Sequence, residues 1–459
     1  MKFFLTVALS CSFLFANSFP QDFLWGTAIA EFQNSGAENC PNSNWTQWEK
    51  MKTINGRETI VGNQESGSAA DFYHDYKTYI DIMKEKGLTS FRFSIDWSLI
   101  EPKEKAFDPD ALAHYKEILD YLNQNGIEPM VTLHHFTHPQ WFEKKGGFIK
   151  EANIEYFVRF AKHVYTAFKD KAKLWVTFNE PAIFAFMGYF VGDFPPGQQV
   201  AVETTGQVLK NLIHAHIKTY HALKKIPGGE NNKIGLVHNR LEFKPYTEIF
   251  KLLAYEPWRA TESAVCEYLS NITHWSLYNC LKTGHFVFAV PSVSYYVIPT
   301  MVDIRHEFKN IQNSYDFIGL NYYSHARIRM LLSVLNPFVD THYSDEVMTD
   351  YHLAITPESF YEAIKEMAEL KKPIYITENG IADKQDLHRK DFINSYLSQL
   401  EKCLDEKIDV RGYYYWTLID NFEWHEGYNI CFGLFQREPK KWSMRPGSQA
   451  YFDFIKSHK

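Results

Sequence analysis

The chain alternates between two patterns of apolar and polar residues. Short runs of β-branched and aromatic residues, which are typical of strands, lie at residues 23–28, 91–95, 129–136, 174–178, 234–237, 317–323, 373–377 and 410–418. Stretches with apolar residues at helical spacing separate most of them, at residues 69–86, 109–125, 154–169, 207–225, 358–370 and 390–406. A short final helix is expected to run through Asp453.

Strands that alternate with helices build a parallel sheet, and eight such units predict a closed barrel. We therefore predict a single α/β domain over residues 19–459, a (β/α)8 TIM barrel with long βα loops. A chain of 459 residues fits this fold as one unit, and no Pro-, Gly- or Ser-rich linker divides it. Residues 240–312 show the weakest pattern and are predicted to hold loop insertions, with a helix at 262–269.

Polar side chains lie at or near the ends of the predicted strands. Two of them are carboxylates, since Glu180 and Glu378 each follow an apolar run. In a (β/α)8 barrel the carboxyl ends of the strands meet at one rim, where active sites form. The sequence therefore predicts one site that contains both carboxylates. The other strand-end residues are Gln33, Arg92, His135, Asn179, Asn239, Asn321, Tyr323 and Trp416.

The composition narrows the classes of function. Aromatic residues reach 16% of the chain, and aromatic faces beside polar groups suit the binding of sugars. The net charge is -7 and no basic stripe is present, which argues against a nucleic-acid partner. No cluster of His, Asp and Glu has the spacing of metal ligands, so no metal is expected. The sequence does not determine an oligomeric state.

The first 18 residues have the pattern of a secretory signal. Lys2 gives a short charged start, residues 3–15 are almost wholly apolar but too few to span a bilayer, and Ala16-Asn17-Ser18 fits a cleavage site. We therefore predict a cleaved signal peptide over residues 1–18 and a secreted or periplasmic protein. The alternative is an uncleaved apolar tail, or a lipid on Cys11, that would keep the protein at a membrane. No other segment is long and apolar enough to cross one.

Cleavage would leave five cysteines, an odd number without a Cys-x-x-Cys pair. This argues against a disulfide framework or a zinc site, and free buried thiols are the default. The alternative is a bridge between Cys266 and Cys280 within one local segment. Asn44 and Asn271 begin glycosylation sequons, which matter only if a eukaryote secretes the chain.

Six motifs in order carry a resemblance to a known family. They read Phe-Leu-Trp-Gly-Thr-Ala at 23–28, Arg-Phe-Ser-Ile-Asp-Trp-Ser at 92–98, Thr-Phe-Asn-Glu-Pro at 177–181, Asp-Phe-Ile-Gly-Leu-Asn-Tyr-Tyr at 316–323, Ile-Thr-Glu-Asn-Gly at 376–380 and Asp-Asn-Phe-Glu-Trp at 420–424. On these motifs the chain resembles the retaining, β-glucosidase-like enzymes of glycoside hydrolase family 1. The resemblance implies an exo-acting enzyme that hydrolyses the terminal β-linked sugar of small glycosides through a covalent glycosyl-enzyme intermediate, without a cofactor.

The resemblance also assigns roles to residues at the strand ends. It implies that Glu378 is the nucleophile, that Glu180 is the acid/base and that Asn179 bonds the 2-hydroxyl of the sugar. Arg92 is expected to lower the pKa of Glu378, and Tyr323 to donate a hydrogen bond to it. The other implied sugar contacts are stacking on Trp416 and hydrogen bonds at Gln33, His135, Asn321, Glu423 and Trp424.

The chain departs from the family pattern at four places. Ser35 stands where a Glu is usual, His134-His135-Phe136 stands where Tyr-His-Trp is common, and Cys431 replaces an Arg. The loop after the sixth strand lacks a Trp that often walls the leaving-group site. None of these positions touches the two carboxylates, and His134 is expected to be structural. The shape of the leaving-group subsite, and the choice among glucose, galactose and fucose, stay open.

Three rival functions share this resemblance. A 6-phospho-β-glycosidase would need phosphate-binding residues where Glu423 and Trp424 stand, and the Glu423 carboxylate would repel a phosphate. A non-catalytic glycan- or protein-binding relative would have lost a catalytic Glu, whereas both are present here. A transglycosylase shares every residue named, and only product analysis separates it from a hydrolase.

Overall fold

The computed structural model describes residues 19–246, 256–292, 300–329, 342–343, 345–437 and 442–458. Eight parallel strands close into a barrel in which each strand pairs with its neighbours in the chain and the last pairs with the first. This confirms the predicted (β/α)8 barrel. The predicted signal peptide lies outside the described residues. The barrel strands are β1 (Leu24–Ala28), β2 (Ser90–Ser94), β3 (Glu128–Thr132), β4 (Leu174–Asn179), β5 (Lys233–Asn239), β6 (Phe317–Asn321), β7 (Ile374–Asn379) and β8 (Val410–Trp416).

Helices connect the strands and cover the barrel. Six of them coincide with the helices predicted between strands, with small differences at their ends, and the final helix is also present. The described helices are α1 (Glu31–Asn39), α2 (Asn44–Met51), α3 (Phe72–Glu85), α4 (Trp97–Ile100), α5 (Pro109–Gln124), α6 (Gln140–Lys144), α7 (Ile154–Phe168), α8 (Pro181–Phe186), α9 (Val202–Lys224), α10 (Glu256–Ser270), α11 (Ser276–Thr283), α12 (Pro357–Ala368), α13 (Arg389–Asp405) and α14 (Gln449–Ser457).

Helix α5 shows how the local sequence sets these bounds. The side chain of Asp108 accepts hydrogen bonds from the backbone N–H groups of Asp110 and Ala111, which no helical carbonyl can reach. Pro109 fills the first helical position, where no backbone N–H is needed. The apolar residues recur at helical spacing and form one buried face. That face consists of Ala111, Tyr115, Ile118, Leu119 and Leu122.

Packing between helices and strands fixes the part of the barrel that carries Glu180. Phe157 of α7 packs against Phe178 of β4, with ring centroids 4.4 Å apart. Phe160 of the same helix stacks on Trp97, with centroids 5.1 Å apart. All four rings are buried. Truncating one buried ring to Ala costs about 3–5 kcal/mol, so this packing strongly constrains β4.

The region from 240 to 312 is the most elaborate part of the chain. The predicted helix at 262–269 lies within the longer α10, which continues through a π-helical turn at Asn271–Trp275 into α11. Cys266 and Cys280 are both buried and both free. The alternative of a bridge between them is therefore wrong, and the default of free thiols holds for this pair.

An antiparallel hairpin in the same region was not predicted. Its strands are His285–Ser292 and Thr300–Glu307. Phe286, Phe288 and Val290 are buried and alternate with less buried residues, which is the period of a half-buried strand. The other described strands outside the barrel form three small sheets, Thr53–Ile54 with Arg57–Glu58, Glu242–Pro245 with His325–Ile328, and Phe435–Gln436 with Ser443–Met444.

The two sequons differ in exposure. Asn44 is buried, and its side chain donates to the carbonyl oxygen of Phe136 and accepts from the backbone N–H of His138. The folded protein therefore leaves no room for a glycan at Asn44. Asn271 is partly exposed at the start of the π-helical turn. No helix in the described ranges is long and apolar enough to cross a membrane.

Candidate active site

Both carboxylates follow an interruption of the barrel register. In β4 one extra residue, relative to the paired β5, lies between Val176 and Asn179. In β7 one extra residue, relative to β6, lies between Ile376 and Glu378. Such bulges redirect the side chains that follow and are common beside active sites. Glu180 and Glu378 both line the central cavity at this end of the barrel.

Gly380 ends the motif of Glu378 because two strand ends meet there. A Cβ at this position would lie 1.9 Å from the carbonyl oxygen of Trp416, so only glycine permits the approach. The peptide bond between Trp416 and Thr417 is cis. The contact brings the end of β8, with Trp416, next to the end of β7.

Glu378 is held by a cation and a phenol. Nη1 of Arg92 donates to Oε1 of Glu378 at 2.6 Å, and the Tyr323 hydroxyl donates to Oε2 at 2.7 Å. Arg92 and Glu378 are both buried, and removing one partner of such a pair costs about 3–5 kcal/mol because the other charge is left uncompensated. Arg92 and Tyr323 thus both contact Glu378, as the sequence predicted.

Glu180 contacts amides instead of a cation. Its Oε1 accepts from Nδ2 of Asn321 at 2.5 Å and from Nδ2 of Asn239 at 2.9 Å. Its backbone is left-handed, with φ of 46°, a conformation that residues other than glycine rarely adopt and that concentrates at functional sites. The sequence placed Asn239 at a strand end but gave it no role. Its role follows from the barrel register, in which Asn239 pairs with Asn321.

Asn179 joins the surroundings of the two carboxylates. Its Oδ1 accepts from Nη2 of Arg92 at 2.6 Å and from Nδ2 of Asn321 at 3.2 Å. Its Nδ2 lies 3.0 Å from Nε2 of His135. Because Arg92 holds one carboxylate and Asn321 the other, a single buried network spans the site. Such a network fixes both carboxylates relative to each other.

The two carboxyls differ in their affinity for a proton. Burial, and then the charge of Glu378, raise the pKa of Glu180 to about 8. Burial also raises the pKa of Glu378, against the charge of Arg92 and the hydrogen bond from Tyr323. Arg92 lowers the pKa of Glu378, as predicted, but desolvation raises this pKa by more, so the net shift is upward. The contacts favour a proton on Glu180 and a charge on Glu378, the one of the two that touches a cation.

Gln33, which is buried, and Glu423, which is partly exposed, form a second polar pair. Nε2 of Gln33 donates to Oε2 of Glu423 at 2.9 Å and lies 3.4 Å from Oδ1 of Asn421. Burial raises the pKa of Glu423 to about 8, although the hydrogen bond from Gln33 opposes it. Oε1 of Gln33 and Nδ1 of His135 are buried without a hydrogen-bond partner among the described residues. Buried polar atoms normally have partners, so these two suit the hydroxyls of a ligand.

Two tryptophans border the same side of the cavity. The ring centroids of Trp416 and Trp424 lie 5.8 Å and 6.0 Å from that of His135. Trp424 also packs against the buried Trp45, with centroids 4.6 Å apart. The cavity lining thus includes eight predicted site residues, Glu180, Glu378, Asn179, Tyr323, His135, Trp416, Glu423 and Trp424.

The other three predicted residues lie one layer behind the cavity. Arg92, Gln33 and Asn321 are buried and outside its lining, but each hydrogen-bonds a residue that lines it. For Arg92 this is the position that the sequence indicated. For Gln33 and Asn321, which were expected to contact a sugar, the contacts present are with Glu423 and Glu180. Their strand-end positions could not distinguish a residue at the cavity surface from one behind it.

Ser35 and His134, two of the residues that depart from the family pattern, lie outside the cavity lining, whereas Phe136 is part of it. The Ser35 hydroxyl donates to Oε1 of Glu31 at 2.6 Å. Glu31 lies one turn earlier in α1, so a carboxyl is present beside Ser35, where a Glu is usual in the family. Burial raises the pKa of Glu31 to about 8. Nε2 of His134 lies 3.3 Å from Nδ1 of His138, which agrees with a structural role. The His134 ring also packs against Phe148, Phe157, Phe178 and Phe184.

The cavity extends well beyond the two carboxylates. Its volume is about 1540 Å³, which exceeds the usual size of a pocket for a small ligand. Tyr351 and Phe432 line it beside Tyr323, with Phe432 ring centroids 5.7 Å from Tyr323 and 6.2 Å from Tyr351. These two aromatic residues were not predicted, because they lie in loops outside the six motifs.

Charged side chains at the cavity form pairs. Nη1 of Arg57 lies 3.0 Å from Oδ1 of Asp193, and Nη2 of Arg327 lies 2.5 Å from Oε1 of Glu346. No Lys belongs to the lining in the described part of the chain. Within the same residues, no group of three or more His, Cys, Asp or Glu side chains could hold a metal ion.

Comparison with curated proteins gives relatives that span most of the chain. A chloroplastic β-D-glucosidase of Zea mays is 30% identical over 91% of this chain and 80% of its own. Its name gives the substrate as 4-hydroxy-7-methoxy-3-oxo-3,4-dihydro-2H-1,4-benzoxazin-2-yl glucoside. A 6-phospho-β-galactosidase of Clostridium acetobutylicum is 29% identical over 95% of this chain and 96% of its own.

Solved structures share the fold over nearly the whole chain. A β-glycosidase from Pyrococcus horikoshii superposes with a TM-score of 0.79 at 30% identity, covering 96% of this chain and 95% of that one. A β-glucosidase from Thermotoga maritima in complex with deoxynojirimycin gives a TM-score of 0.79 at 25% identity, covering 96% and 99%. The model of glycosyl hydrolase family 1 matches residues 15–459. The chain therefore belongs to glycosyl hydrolase family 1.

Proposed function

We propose that this glycoside hydrolase is a retaining, exo-acting β-glycosidase that removes the terminal β-linked sugar of small glycosides. The observation that carries the proposal is the unequal setting of two buried carboxyls joined by one network. Glu378 touches Arg92 and Tyr323, whereas Glu180 touches only neutral amides among its hydrogen-bond partners and has a pKa of about 8. Retaining hydrolysis needs one ionised and one protonated carboxyl at the same bond.

In the first step Glu180 acts as the acid and Glu378 as the nucleophile. The Glu180 carboxyl gives its proton to the glycosidic oxygen while an oxygen of Glu378 bonds to the anomeric carbon. The bond between that carbon and the glycosidic oxygen breaks, and the leaving group departs as an alcohol. Arg92 and Tyr323 keep Glu378 ionised and oriented for the attack.

In the second step Glu180 acts as the base. Because the Glu378 charge is lost in the ester, the Coulombic contribution to the raised pKa of Glu180 disappears. The Glu180 carboxylate then takes a proton from water as the water oxygen attacks the anomeric carbon and releases Glu378. Asn179 is placed by Arg92 and Asn321 to bond the 2-hydroxyl of the sugar during both steps.

The polar end of the cavity supports an exo mode on a neutral sugar. Trp416 and Trp424 are buried there and Glu423 is partly exposed, which suits one terminal ring stacked on Trp416 and bonded by Glu423 and His135. Relatives from Zea mays and Thermotoga maritima are named β-glucosidases, which favours a glucoside over a galactoside or a fucoside as the substrate. A transglycosylase would use the same residues, and the ratio of transfer product to free sugar distinguishes the two.

The 6-phospho-β-galactosidase relative makes phosphoglycosides the second candidate substrate. Repulsion by Glu423 would disfavour a phosphate only weakly, because a pKa of about 8 leaves much of Glu423 neutral at pH 7. The pairing of Arg57 and Arg327 with acidic partners disfavours it more, since a phosphate site needs a cation or several free donors. We expect kcat/KM for a 6-phospho-β-glycoside to fall below that for the unphosphorylated sugar.

Replacing Glu378 with Gly tests the nucleophile. Glu378→Gly should abolish hydrolysis of an aryl β-glucoside, because no group remains to attack the anomeric carbon. Added azide should restore cleavage and give the α-glycosyl azide, since the small anion occupies the vacated position. The product is identified by NMR. Absence of rescue in a folded variant, verified by circular dichroism, would contradict the assignment and leave the retaining mechanism without support.

We also propose that the chain is exported, either secreted or to a periplasm, after removal of residues 1–18. The apolar stretch at 3–15 and the small residues before Phe19 support this. N-terminal sequencing of the protein isolated from its native compartment should begin at Phe19. A sequence that begins at Met1, in a membrane fraction, would support the uncleaved, membrane-associated alternative instead.

A further inference from the structure

An apolar chamber opens from the active-site cavity on the side of Glu180. We define it by six residues that line the cavity, Ile183, Met187, Phe190, Leu241, Val265 and Tyr268. They come from α8 and the π-helical turn after it, from the segment after β5, and from α10. All six are partly exposed although they are apolar or aromatic. The apolar chamber is therefore built by one βα loop and by the insertion, not by the strand ends.

Two chain connections place the apolar chamber on the leaving-group side. Ile183 lies three residues after Glu180, on the helix that begins directly after this carboxyl. Leu241 lies two residues after Asn239, which donates a hydrogen bond to Glu180. The acid must contact the oxygen of the leaving group. The chamber therefore borders the position of the leaving group, while Trp416 and Glu423 border the sugar.

The six side chains that define the apolar chamber carry no charge and a single hydroxyl, that of Tyr268, which is buried without a hydrogen-bond partner among the described residues. Phe190 packs against the ring of Phe186 at 5.3 Å and that of Tyr268 at 5.9 Å. Burial alone raises the pKa of Tyr268 to about 12, which indicates a weakly hydrated wall. A saccharide in the leaving-group position would need several polar partners to replace its water. An apolar occupant needs none, and gains from leaving water.

We propose that the natural substrates are β-glycosides whose leaving group is a large apolar alcohol, such as a long alkyl or fused-ring alcohol, and that the apolar chamber binds this group. The proposal rests on the proposed function and adds the substrate class. Each methylene of an alkyl leaving group that enters the chamber should raise kcat/KM by up to about fourfold, the effect of burying one CH2 group. Disaccharides should be poorer substrates than alkyl glycosides of similar size.

A series of alkyl β-glucosides tests the proposal with the full-length mature enzyme. Methyl, hexyl and octyl β-glucosides share the sugar, and the hexyl and octyl alcohols have nearly equal acidity, so their rates differ through binding. We expect kcat/KM to rise by about 4- to 15-fold from hexyl to octyl, below the concentration at which micelles form. Equal values for the two, in an enzyme that hydrolyses methyl β-glucoside, would overturn the chamber proposal but leave the β-glycosidase function intact.

Two neighbouring positions on α10 provide a matched pair of variants. Ala264 lines the cavity at the edge of the apolar chamber, whereas Ser263 is outside the lining, and both are exposed. Ala264→Trp should narrow the chamber and lower the octyl-to-methyl ratio of kcat/KM at least fivefold. Ser263→Trp should leave the ratio unchanged. An unchanged ratio in Ala264→Trp, or an equal fall in both variants, would overturn the proposal.

A second variant changes the chemistry of the wall without filling it. Val265 is partly exposed, so Val265→Asp places a hydrated charge in the chamber of the free enzyme. We expect a loss of the rise from hexyl to octyl, because the apolar chain would have to displace water from the carboxylate. Val265→Leu, which keeps the wall apolar, should preserve the rise. Retention of the full rise in Val265→Asp would contradict the proposal. Failure of every variant and of the parent enzyme on methyl β-glucoside would refute the proposed function itself.

Discussion

The two halves of the cavity are built on different principles. The sugar half consists of side chains at or just after barrel strands. Trp416, Trp424 and His135 are buried, and the His135 ring contacts both tryptophans. Glu423 is partly exposed and is held by a hydrogen bond from Gln33. The leaving-group half is the apolar chamber, whose six defining side chains are partly exposed and whose one hydroxyl, that of Tyr268, has no hydrogen-bond partner among the described residues. The residues of the sugar half lie at the ends of barrel strands, whereas those of the apolar chamber lie in the segments that follow the strands.

This difference separates chemistry from selectivity. Strand ends are fixed by the ladder of backbone hydrogen bonds and by the packing of the outer helices, so a short motif is enough to specify them. A loop wall depends on residues far apart in sequence, such as Ile183 and Val265, and on the course of the insertion between β5 and β6. We expect the sugar half to set the rate for every substrate, and the leaving-group half to discriminate among them.

Glu180 lies on the border of the halves, and its substitution should have the largest effect. Glu180→Gln keeps an oxygen for Asn239 and Asn321 but removes the proton. We expect kcat/KM for alkyl β-glucosides, whose alcohols leave poorly, to fall by about 10²- to 10⁴-fold. For dinitrophenyl β-glucoside, which needs no acid, the loss should stay below about tenfold. Equal losses on the two substrates would contradict the acid role of Glu180.

The next effect in size belongs to the sugar half. Glu423→Ala removes a carboxyl that lines the cavity and leaves the buried Gln33 without its main partner. We expect kcat/KM to fall by about 10- to 100-fold, because leaving a buried polar partner unsatisfied costs about 1–3 kcal/mol. The loss should be the same for methyl and octyl β-glucosides. A loss that depends on the alkyl chain would show that the halves are not independent, and so break the comparison.

The same division explains how much the sequence could predict. Alternation of strand and helix patterns gave the barrel and its eight strands, because period and order are local properties. The six motifs located the two carboxylates, Glu423 and Trp424, and the ends of the predicted strands located His135 and Trp416. The bulges before Glu180 and Glu378 were not predicted, because an extra residue appears only when a strand is compared with its partner.

Burial and long-range packing account for most of the remainder. The net pKa direction of Glu378 depends on desolvation as well as on Arg92, and desolvation cannot be read from a motif. The contact of Asn239 with Glu180 depends on the register between β5 and β6. The apolar chamber combines three segments that are distant in sequence. The hairpin at 285–307 could have been predicted from the sequence, because the apolar residues Phe286, Phe288 and Val290 alternate with other residues as in a strand.

The smallest predicted effect uses pH to distinguish the halves. Glu180 must carry a proton to act as the acid, and its pKa is about 8, so kcat/KM should fall as pH rises through about 8. Asn239 donates a hydrogen bond to the Glu180 carboxyl, which favours the ionised form and lowers the pKa. Asn239→Ala removes that bond, so the pKa should rise and the alkaline limb should move to higher pH.

The size and direction of this pKa shift test the contact between Asn239 and Glu180. Asn239 lies two residues before Leu241 of the apolar chamber, so the contact links the leaving-group half to the acid. We expect a displacement of at most about one pH unit, the usual effect of one such hydrogen bond. The exposed Asn231, just before β5, provides the control, since Asn231→Ala should leave the limb in place. Glu423→Ala should lower the whole profile with a smaller displacement, because the charge of Glu423 is not among the main causes of the Glu180 shift. A limb that moves to lower pH in Asn239→Ala would mean that Asn239 stabilises the protonated acid, and would reverse the account of how β5 tunes Glu180.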